Sequence, residues 1–236
     1  DRQRNNPDGT LRPSMARGNR TRLLRHRSVL QNRDKDLLRD TNCDKGGASV
    51  LINLIRHGQT AGNLEKRYIG RTDEPLCSDG ISELKSRSYP APGTLICSPM
   101  KRCIQTAEVL FPGIQSQIFQ ELRECDFGDF EGKNYRELNG NDDYQRWIDS
   151  GGTLPFPGGE SPEDFRERCC TGFMSAINQN ADAETLTFVI HGGTIMAVME
   201  RFAIPRRGYY EWQYPNACGC SVEFDGKILT LISELK

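Results

Sequence analysis

The sequence predicts an α/β fold in which a mostly parallel sheet lies between layers of helices, as a three-layer sandwich. From residue 50 onward, short apolar runs alternate with helical segments, which is typical of such folds. The apolar runs are continuous rather than alternating, as in strands buried on both faces. Near the C-terminus, Asp225-Gly226 separates two further strand-like runs and indicates a hairpin. The 236 residues suffice for one domain with an appendage.

Each predicted element has a local signal. Polar residues and Gly58 end the first apolar run, and Ser78-Asp79, Ser98-Pro99 and Ser161-Pro162 are typical helix starts. The predicted strands are 50–55, 94–97, 116–119, 185–190, 218–224 and 227–232. The predicted helices lie near 59–65, from 78 to about 88, from 98 to 110, from 161 to about 178, and from 192 to 202. The polar, Gly-rich segment 126–141 is predicted as loop with short helices.

Residues 1–49 differ in composition from the rest of the chain. Ten Arg and two Lys stand against six Asp, a net charge of +6, and the segment contains no aromatic residue. It cannot bury enough apolar surface to offset its ordering entropy, so we expect a disordered tail, either inert or translated from sequence upstream of the true start. A basic arm for nucleic acid or anionic lipid is the alternative to an inert tail. Residues 50–236 carry a net charge of −7, which disfavours nucleic acid as a partner.

The cysteines and hydropathy indicate a cytoplasmic protein with no membrane partner. No apolar run is long enough to span a bilayer. The nine cysteines include no CxxC pair and form no pattern with metal-ligand spacing. We therefore expect reduced, packed cysteines and neither a metal nor a cofactor. The sequence does not indicate an oligomeric state.

Two histidines follow predicted strands. Arg56-His57-Gly58 comes directly after the first strand, and His191-Gly192 follows the strand at 185–190. Open α/β sheets bind ligands at the carboxyl ends of their strands, so these side chains can converge on one pocket. Taken alone, either histidine also fits a hydrogen-bonded core residue.

The full set of motifs resembles the histidine phosphatase superfamily, the phosphoglycerate-mutase-like fold. The matching segments, in family order, read LIRHGQTAGN at 54–63, GRTDEPL at 70–76, SPMKRCIQTA at 98–107, LRECDFGDFEG at 122–132, PGGES at 157–161 and VIHGG at 189–193. The resemblance covers residues 50–236 and excludes the tail. It implies a phosphoglycerate-mutase-like sandwich that acts on a small-molecule phosphomonoester.

The resemblance also implies a role for each site residue. His57 is the nucleophile that forms a phosphohistidine, and Glu124 is the acid and base. Arg56, Arg102 and His191 bind and stabilise the transferring phosphoryl group. The further substrate-binding residues implied are Asn63, Gly70 and Gly192. On chemistry alone, the carboxylates of Asp126, Asp129 and Glu131 rival Glu124, Arg102 fits a surface charge, and Asn63 fits a helix cap.

The substrate is less defined than the reaction. The compact length, the GRTDEPL loop and the PGGES segment resemble bacterial α-ribazole-5′-phosphate phosphatases of cobalamin biosynthesis, and also broad-specificity sugar-phosphate and nucleotide phosphatases. The mutases of this superfamily carry two consecutive arginines before the second histidine, which bind the substrate carboxylate. Residues 139–160 offer only Arg146, so the resemblance disfavours mutase activity. A catalytically silent phosphate-binding module is the alternative from another class. Seven aromatic residues are candidates for a cap that stacks on a base, or for ordinary packing: Tyr68, Tyr135, Tyr144, Trp147, Phe156, Tyr209 and Trp212.

Overall fold

Strands and helices alternate through residues 49–236, the part of the chain that the computed structural model describes. The strands are β1 (Val50–Arg56), β2 (Thr94–Cys97), β3 (Gln117–Ile118), β4 (Thr185–Ile190), β5 (Ala203–Ile204), β6 (Gly219–Phe224) and β7 (Leu229–Leu235). The helices are α1 (Ala61–Leu64), α2 (Ser78–Ser86), α3 (Lys101–Leu110), α4 (Asp142–Asp149), α5 (Pro162–Gln179) and α6 (Gly192–Phe202). Short 3-10 turns lie at Gln120–Leu122, Gly128–Phe130 and Tyr209–Trp212.

The strands form one mixed sheet in the order β3-β2-β4-β1-β6-β7-β5. β1, β2, β3 and β4 run parallel, whereas β6 pairs antiparallel with both β1 and β7. The hairpin predicted around Asp225-Gly226 is confirmed, with the Asp225 carboxylate accepting hydrogen bonds from the N–H groups of Lys227 and Ile228 at 2.8 Å each. The α/β prediction is therefore confirmed, and among the described strands β6 alone runs in the opposite direction, since β5 pairs parallel with β7.

Helices cover both faces of the sheet. Ile52 and Leu54 of β1 pack into a core with α5 and α6, whereas Ile55 packs on the opposite face with α3. All three side chains are fully buried, and burial of a residue of this size contributes about 1.5–3 kcal/mol. The continuous apolar runs of β1 and β4 follow from this two-sided burial.

A buried polar residue fixes the register of the central strands. Asn53 lies in β1 with no exposed surface, donates to the Thr187 hydroxyl on β4 at 3.0 Å and accepts from the Ser221 hydroxyl on β6 at 2.7 Å. A slip of one residue would leave these buried groups without partners, which costs about 1–3 kcal/mol for each. The strand ends that carry the site are thereby held level with each other.

Two helix starts differ from the prediction. Cys77, not Ser78, caps α2, and its Sγ accepts from the Gly80 N–H. Helix α3 begins at Lys101 rather than at Ser98-Pro99, because the Ser98 hydroxyl bonds His191 at 2.7 Å and does not cap the helix. The cap comes instead from Asp73, which accepts from the Lys101 N–H at 2.6 Å.

Two elements were not predicted. Helix α4 is polar on its outer side and has no buried residue, so its sequence resembles loop, and Asn141 caps it. Strand β5 has only two residues and follows α6 directly. It pairs with β7, which lies far along the chain, so no local pattern indicates it.

The predicted basic tail lies outside the described residues, apart from Ser49 at its end. Within residues 49–236, no helix is both long enough and apolar enough to cross a membrane.

Candidate active site

The carboxyl ends of β1 and β4 bring His57 and His191 together. The two strands are parallel neighbours, with Arg56 opposite Ile190, so the residue after each strand lies at the same edge. The two imidazole rings are 5.2 Å apart between centroids and inclined by 68°. The parallel strands therefore place the two rings side by side at one edge of the sheet.

His57 is held in one orientation. Its Nδ1 lies 2.7 Å from the carbonyl oxygen of Gly58, an acceptor, so Nδ1 carries the proton and Nε2 keeps its lone pair. Burial, together with the nearby charges of Arg102 and Arg56, lowers the pKa of His57 well below its usual range. The ring is neutral at physiological pH, as a nucleophile requires. Gly58 has no room for a side chain, since a Cβ there would lie 2.6 Å from Leu84.

Arg56 and Arg102 both lie close enough to His57 for their charges to act on it, and Arg56 lines the cavity whereas Arg102 is buried beside it. Arg102 is fully buried and donates to the carbonyls of Thr72 and Gly70 at 2.8 and 2.9 Å, while Arg56 donates to the Tyr214 carbonyl at 2.7 Å. The Nε–H group of each is buried and has no partner. Neither arginine forms an ion pair with any residue in 49–236. Two buried cations with free donors favour binding of an anion.

His191 lies at the start of α6, behind the surface of the cavity that opens in front of His57. It is fully buried, and its Nε2 is 2.7 Å from the Ser98 hydroxyl. Burial and the charge of Arg102 lower its pKa well below the usual range, so His191 is neutral in the unliganded site. A bound phosphate dianion would oppose this shift and favour the protonated ring.

Among the carboxylates predicted as candidates, Glu124 is the one that reaches the cavity. Its oxygens accept from the N–H of Cys125 at 3.0 Å and of Gly193 at 3.3 Å. Burial raises the pKa of Glu124, and these hydrogen bonds and the charge of Arg102 oppose the rise. Gly193 is needed for this approach, because a Cβ there would lie 2.4 Å from a Glu124 oxygen.

The rival carboxylates have other partners. Glu131 accepts from the N–H groups of Gly70 and Thr72, and Asp126 accepts from the N–H of Gly128. Asp129 is exposed.

Of the three remaining predicted site residues, two line the cavity and one does not. Asn63 lines the cavity, and its carbonyl oxygen takes part in the cap of α1 and accepts from the amide of Asn216 at 3.0 Å. Gly192 also lines the cavity, with its Cα face against Arg56. Gly70 does not line this cavity, and its N–H and carbonyl are taken by Glu131 and Arg102. Its role is to let the chain pass close to the Cys125 carbonyl, which a Cβ would overlap at 1.7 Å.

Sequence reasoning missed two residues that support the histidines. Ser98 contacts His191, and Asn216 donates to the carbonyl of His57 at 3.1 Å. Ser98 belongs to a predicted motif, so its proximity was open to sequence reasoning. Asn216 lies in a loop far along the chain and carries no local signal.

The cavity in front of His57 has a volume of about 310 Å³ and a largely aromatic wall, so we refer to it as the aromatic cavity. Of the predicted aromatic residues, Tyr68, Trp147, Phe156 and Tyr209 line it. Tyr144 stacks behind Trp147 instead.

The other two aromatic candidates do not line the cavity. Tyr135 lies outside the cavity lining, and Trp212 is buried in the main core beneath Arg207. Within residues 49–236, no group of three or more His, Cys, Asp or Glu side chains is placed to hold a metal ion.

Known proteins with a similar sequence or fold include phosphatases and a phosphoglycerate mutase. An adenosylcobalamin/alpha-ribazole phosphatase of Salmonella typhimurium is 27% identical over 188 residues, covering 75% of this chain and 92% of that protein. The crystal structure of the alpha-ribazole phosphatase from Shigella flexneri superimposes with a TM-score of 0.71 at 23% identity, covering 79% of this chain and 96% of that one. The crystal structure of phosphoglycerate mutase from Thermus thermophilus superimposes with a TM-score of 0.61 at 26% identity, covering 79% of this chain and 99% of that one.

The family match spans almost all of the described residues. Residues 52–233 match the profile of the histidine phosphatase superfamily (branch 1), a range that contains both histidines, both arginines and Glu124. The chain therefore belongs to the histidine phosphatase superfamily and is a phosphatase.

Proposed function

We propose that this protein hydrolyses a small phosphomonoester through a covalent phosphohistidine at His57. The observation that carries the proposal is a neutral, oriented imidazole beside two buried guanidinium groups with free Nε–H donors. A phosphate monoester needs an in-line nucleophile and a cationic clamp on its non-bridging oxygens. Arg56 and Arg102 supply that positive charge from the protein itself, so we expect activity without a metal.

In the first step, the Nε2 lone pair of His57 attacks phosphorus and the bond from phosphorus to the leaving oxygen breaks. Glu124 gives its proton to that oxygen, so the alcohol leaves neutral. The raised pKa of Glu124 supports this role, because it keeps the carboxyl protonated at a higher pH than usual.

In the second step, a water oxygen attacks phosphorus and the bond to Nε2 breaks. Glu124, now ionised, takes the proton of the attacking water. Inorganic phosphate leaves, and both His57 and Glu124 return to their starting forms.

Three groups complete the proposed phosphate site. The Asn63 amide and the N–H of Gly192 at the start of α6 belong to residues that line the cavity, and helix N-termini favour anions. His191 lies behind them and, once protonated, would add positive charge.

For the substrate, we propose α-ribazole 5′-phosphate, which would place the enzyme in cobalamin biosynthesis. The name of the Salmonella relative and the aromatic wall of Tyr68, Trp147 and Phe156 support a base-like leaving group. Eight free thiols among the described residues support a reducing compartment such as the cytoplasm. A broad-specificity sugar-phosphate or nucleotide phosphatase is the second candidate, supported by a cavity of about 310 Å³, which falls within the range of ordinary small-ligand sites.

Mutase activity has less support. Arg146 pairs with Asp143 on exposed α4, and Arg207 covers Trp212 outside the cavity. A cation at either position would not hold a substrate carboxylate beside His57.

The test is phosphate release in EDTA from a panel of monoesters. The panel contains α-ribazole 5′-phosphate, 3-phosphoglycerate, fructose bisphosphates and nucleoside monophosphates, with His57→Ala as control. A strong preference for α-ribazole 5′-phosphate that the variant loses supports the full proposal. Similar activity on every ester supports a phosphatase but contradicts α-ribazole 5′-phosphate as its preferred substrate. No release from any ester, with no labelling of His57 by a ³²P-phosphoester, favours a silent phosphate-binding module.

A further inference from the structure

A second cavity lies against Glu124. Its volume is about 270 Å³, and the only residue that it shares with the aromatic cavity, among the described residues, is Glu124. Its lining is otherwise distinct: Gly70, Arg71, Met100, Arg123, Asp126, Gly158, Gly159 and Glu160. Arg71 and Arg123 are exposed, so the second cavity opens to solvent. Glu124 therefore stands between two separate spaces.

The lining of the second cavity suits water better than an anion or an apolar group. Three carboxylates, those of Glu124, Asp126 and Glu160, face two arginines. Glu160 is already paired with Arg168 at 2.7 Å, and Arg71 lies 3.5 Å from Asp126. A volume of about 270 Å³ is large enough for several waters. A polar space of this size with several hydrogen-bonding groups holds water readily.

The aromatic cavity cannot easily supply water while product remains bound. Its volume is at the lower end of ordinary ligand sites, so a leaving group of nucleoside size would occupy most of it. In the phosphohistidine route, the attacking water must reach phosphorus at the place the leaving oxygen has vacated, beside Glu124. Water that enters from the second cavity meets Glu124 without crossing the aromatic cavity.

We propose that the second cavity delivers the hydrolytic water to Glu124, a conclusion that rests on the phosphohistidine route. The water oxygen forms its bond to phosphorus as the bond to His57 Nε2 breaks, and its proton passes to the Glu124 carboxylate. Hydrolysis then proceeds once the alcohol oxygen has moved away from phosphorus, while the rest of the product is still in the aromatic cavity. Return of the phosphoryl group to the alcohol competes with this step, so ready access of water favours hydrolysis over transfer.

The first experiment closes the second cavity. Arg71→Trp adds bulk at its mouth, and Arg71→Ala removes the same contact to Asp126 but leaves the space open. Phosphohistidine is formed with ³²P-labelled p-nitrophenyl phosphate, which needs no acid to leave, and is followed by rapid alkaline quench. We expect Arg71→Trp to slow decay of the phosphoenzyme about tenfold, a rise of roughly 1.4 kcal/mol in the barrier. The rate of phosphohistidine formation in Arg71→Trp should stay within about twofold of wild type. In Arg71→Ala, the rates of formation and of decay should both stay within the same range.

A second pair makes the test independent of one side chain. Arg123→Trp and Arg123→Ala repeat the comparison at the other exposed wall residue. Unchanged decay in both Trp variants overturns the proposal, and so does equal slowing in Trp and Ala variants, because loss of charge would then explain it. Failure to form any phosphohistidine in the wild type overturns the proposed function itself, which separates the two failures.

The second experiment uses the wild-type enzyme. Decay of the phosphoenzyme is measured with and without a saturating concentration of the dephosphorylated product. Decay to inorganic phosphate that continues at an unchanged rate supports water entry from the second cavity. Decay that stops when product binds shows that water enters through the aromatic cavity and overturns the proposal.

Discussion

His57 acquires its reactivity from its surroundings rather than from its residue type. The Gly58 carbonyl fixes its tautomer, and burial beside Arg56 and Arg102 keeps it neutral. Glu124 experiences the opposite shift, because burial favours its neutral form as well. The same low-polarity environment therefore prepares a neutral nucleophile and a protonated acid.

These shifts predict the pH dependence of kcat/KM. The lowered pKa of His57 moves the acidic fall in activity well below pH 6.5, and the raised pKa of Glu124 moves the alkaline fall above 4.5. Glu124→Gln carries no titrating proton, so we expect it to lose the alkaline fall with a sugar or nucleoside phosphate. Dividing the variant profile by the wild-type profile at each pH cancels the titration of the substrate. A ratio that stays constant across pH would remove Glu124 as the acid.

Substitution at the nucleophile and clamp should give graded losses. His57→Ala should abolish turnover, whereas Arg102→Ala and His191→Ala should each lower kcat by about 10² or more, as loss of one electrostatic donor commonly does. Glu124→Gln should cost most with alkyl phosphates and least with p-nitrophenyl phosphate, whose leaving group departs unaided. Steady-state kinetics with both ester types measures this. Equal losses with both would contradict proton donation by Glu124.

At the scale of elements, the site depends on where strands and helices end. Strand limits were largely predictable, because two-sided burial imposes continuous apolar runs on β1 and β4. The meeting of His57 and His191 followed from the strand ends. The start of α3 was not predictable from local signals, since Ser98 bonds His191 and the cap is Asp73, 28 residues away. Asn216 and the second cavity depend equally on contacts between distant segments.

The cap of α3 gives a prediction about stability. Asp73 is the acceptor for the Lys101 N–H, and the N-cap residue Met100 offers none. Asp73→Ala should therefore cost about 1 kcal/mol, a fall of roughly 2–4 °C in Tm for a domain of this size. Asp73→Asn keeps an oxygen acceptor and should lose less. Thermal unfolding by circular dichroism compares the two, and equal Tm values for Asp73→Ala and wild type would contradict a capping role.

At the scale of the whole molecule, charge and chemistry lie in different segments. The matched range 52–233 contains every residue assigned to the site, whereas residues 1–49 carry a net charge of +6. Residues 50–236 carry −7, so we expect this part of the chain not to bind nucleic acid. We predict that any binding to DNA or RNA comes from the basic segment.

Deletion of residues 1–48 tests this separation. Because β1 begins at Val50 and every site residue lies at position 56 or later, kcat/KM and Tm should stay within error of the full chain. The same two proteins are compared for binding to a labelled single-stranded oligonucleotide at several salt concentrations. Binding by the full chain that weakens steeply with salt and disappears on deletion would establish the basic segment as a nucleic-acid arm. If the deletion lowers activity with no such binding, the segment supports the phosphatase domain, and the inert-tail interpretation is wrong.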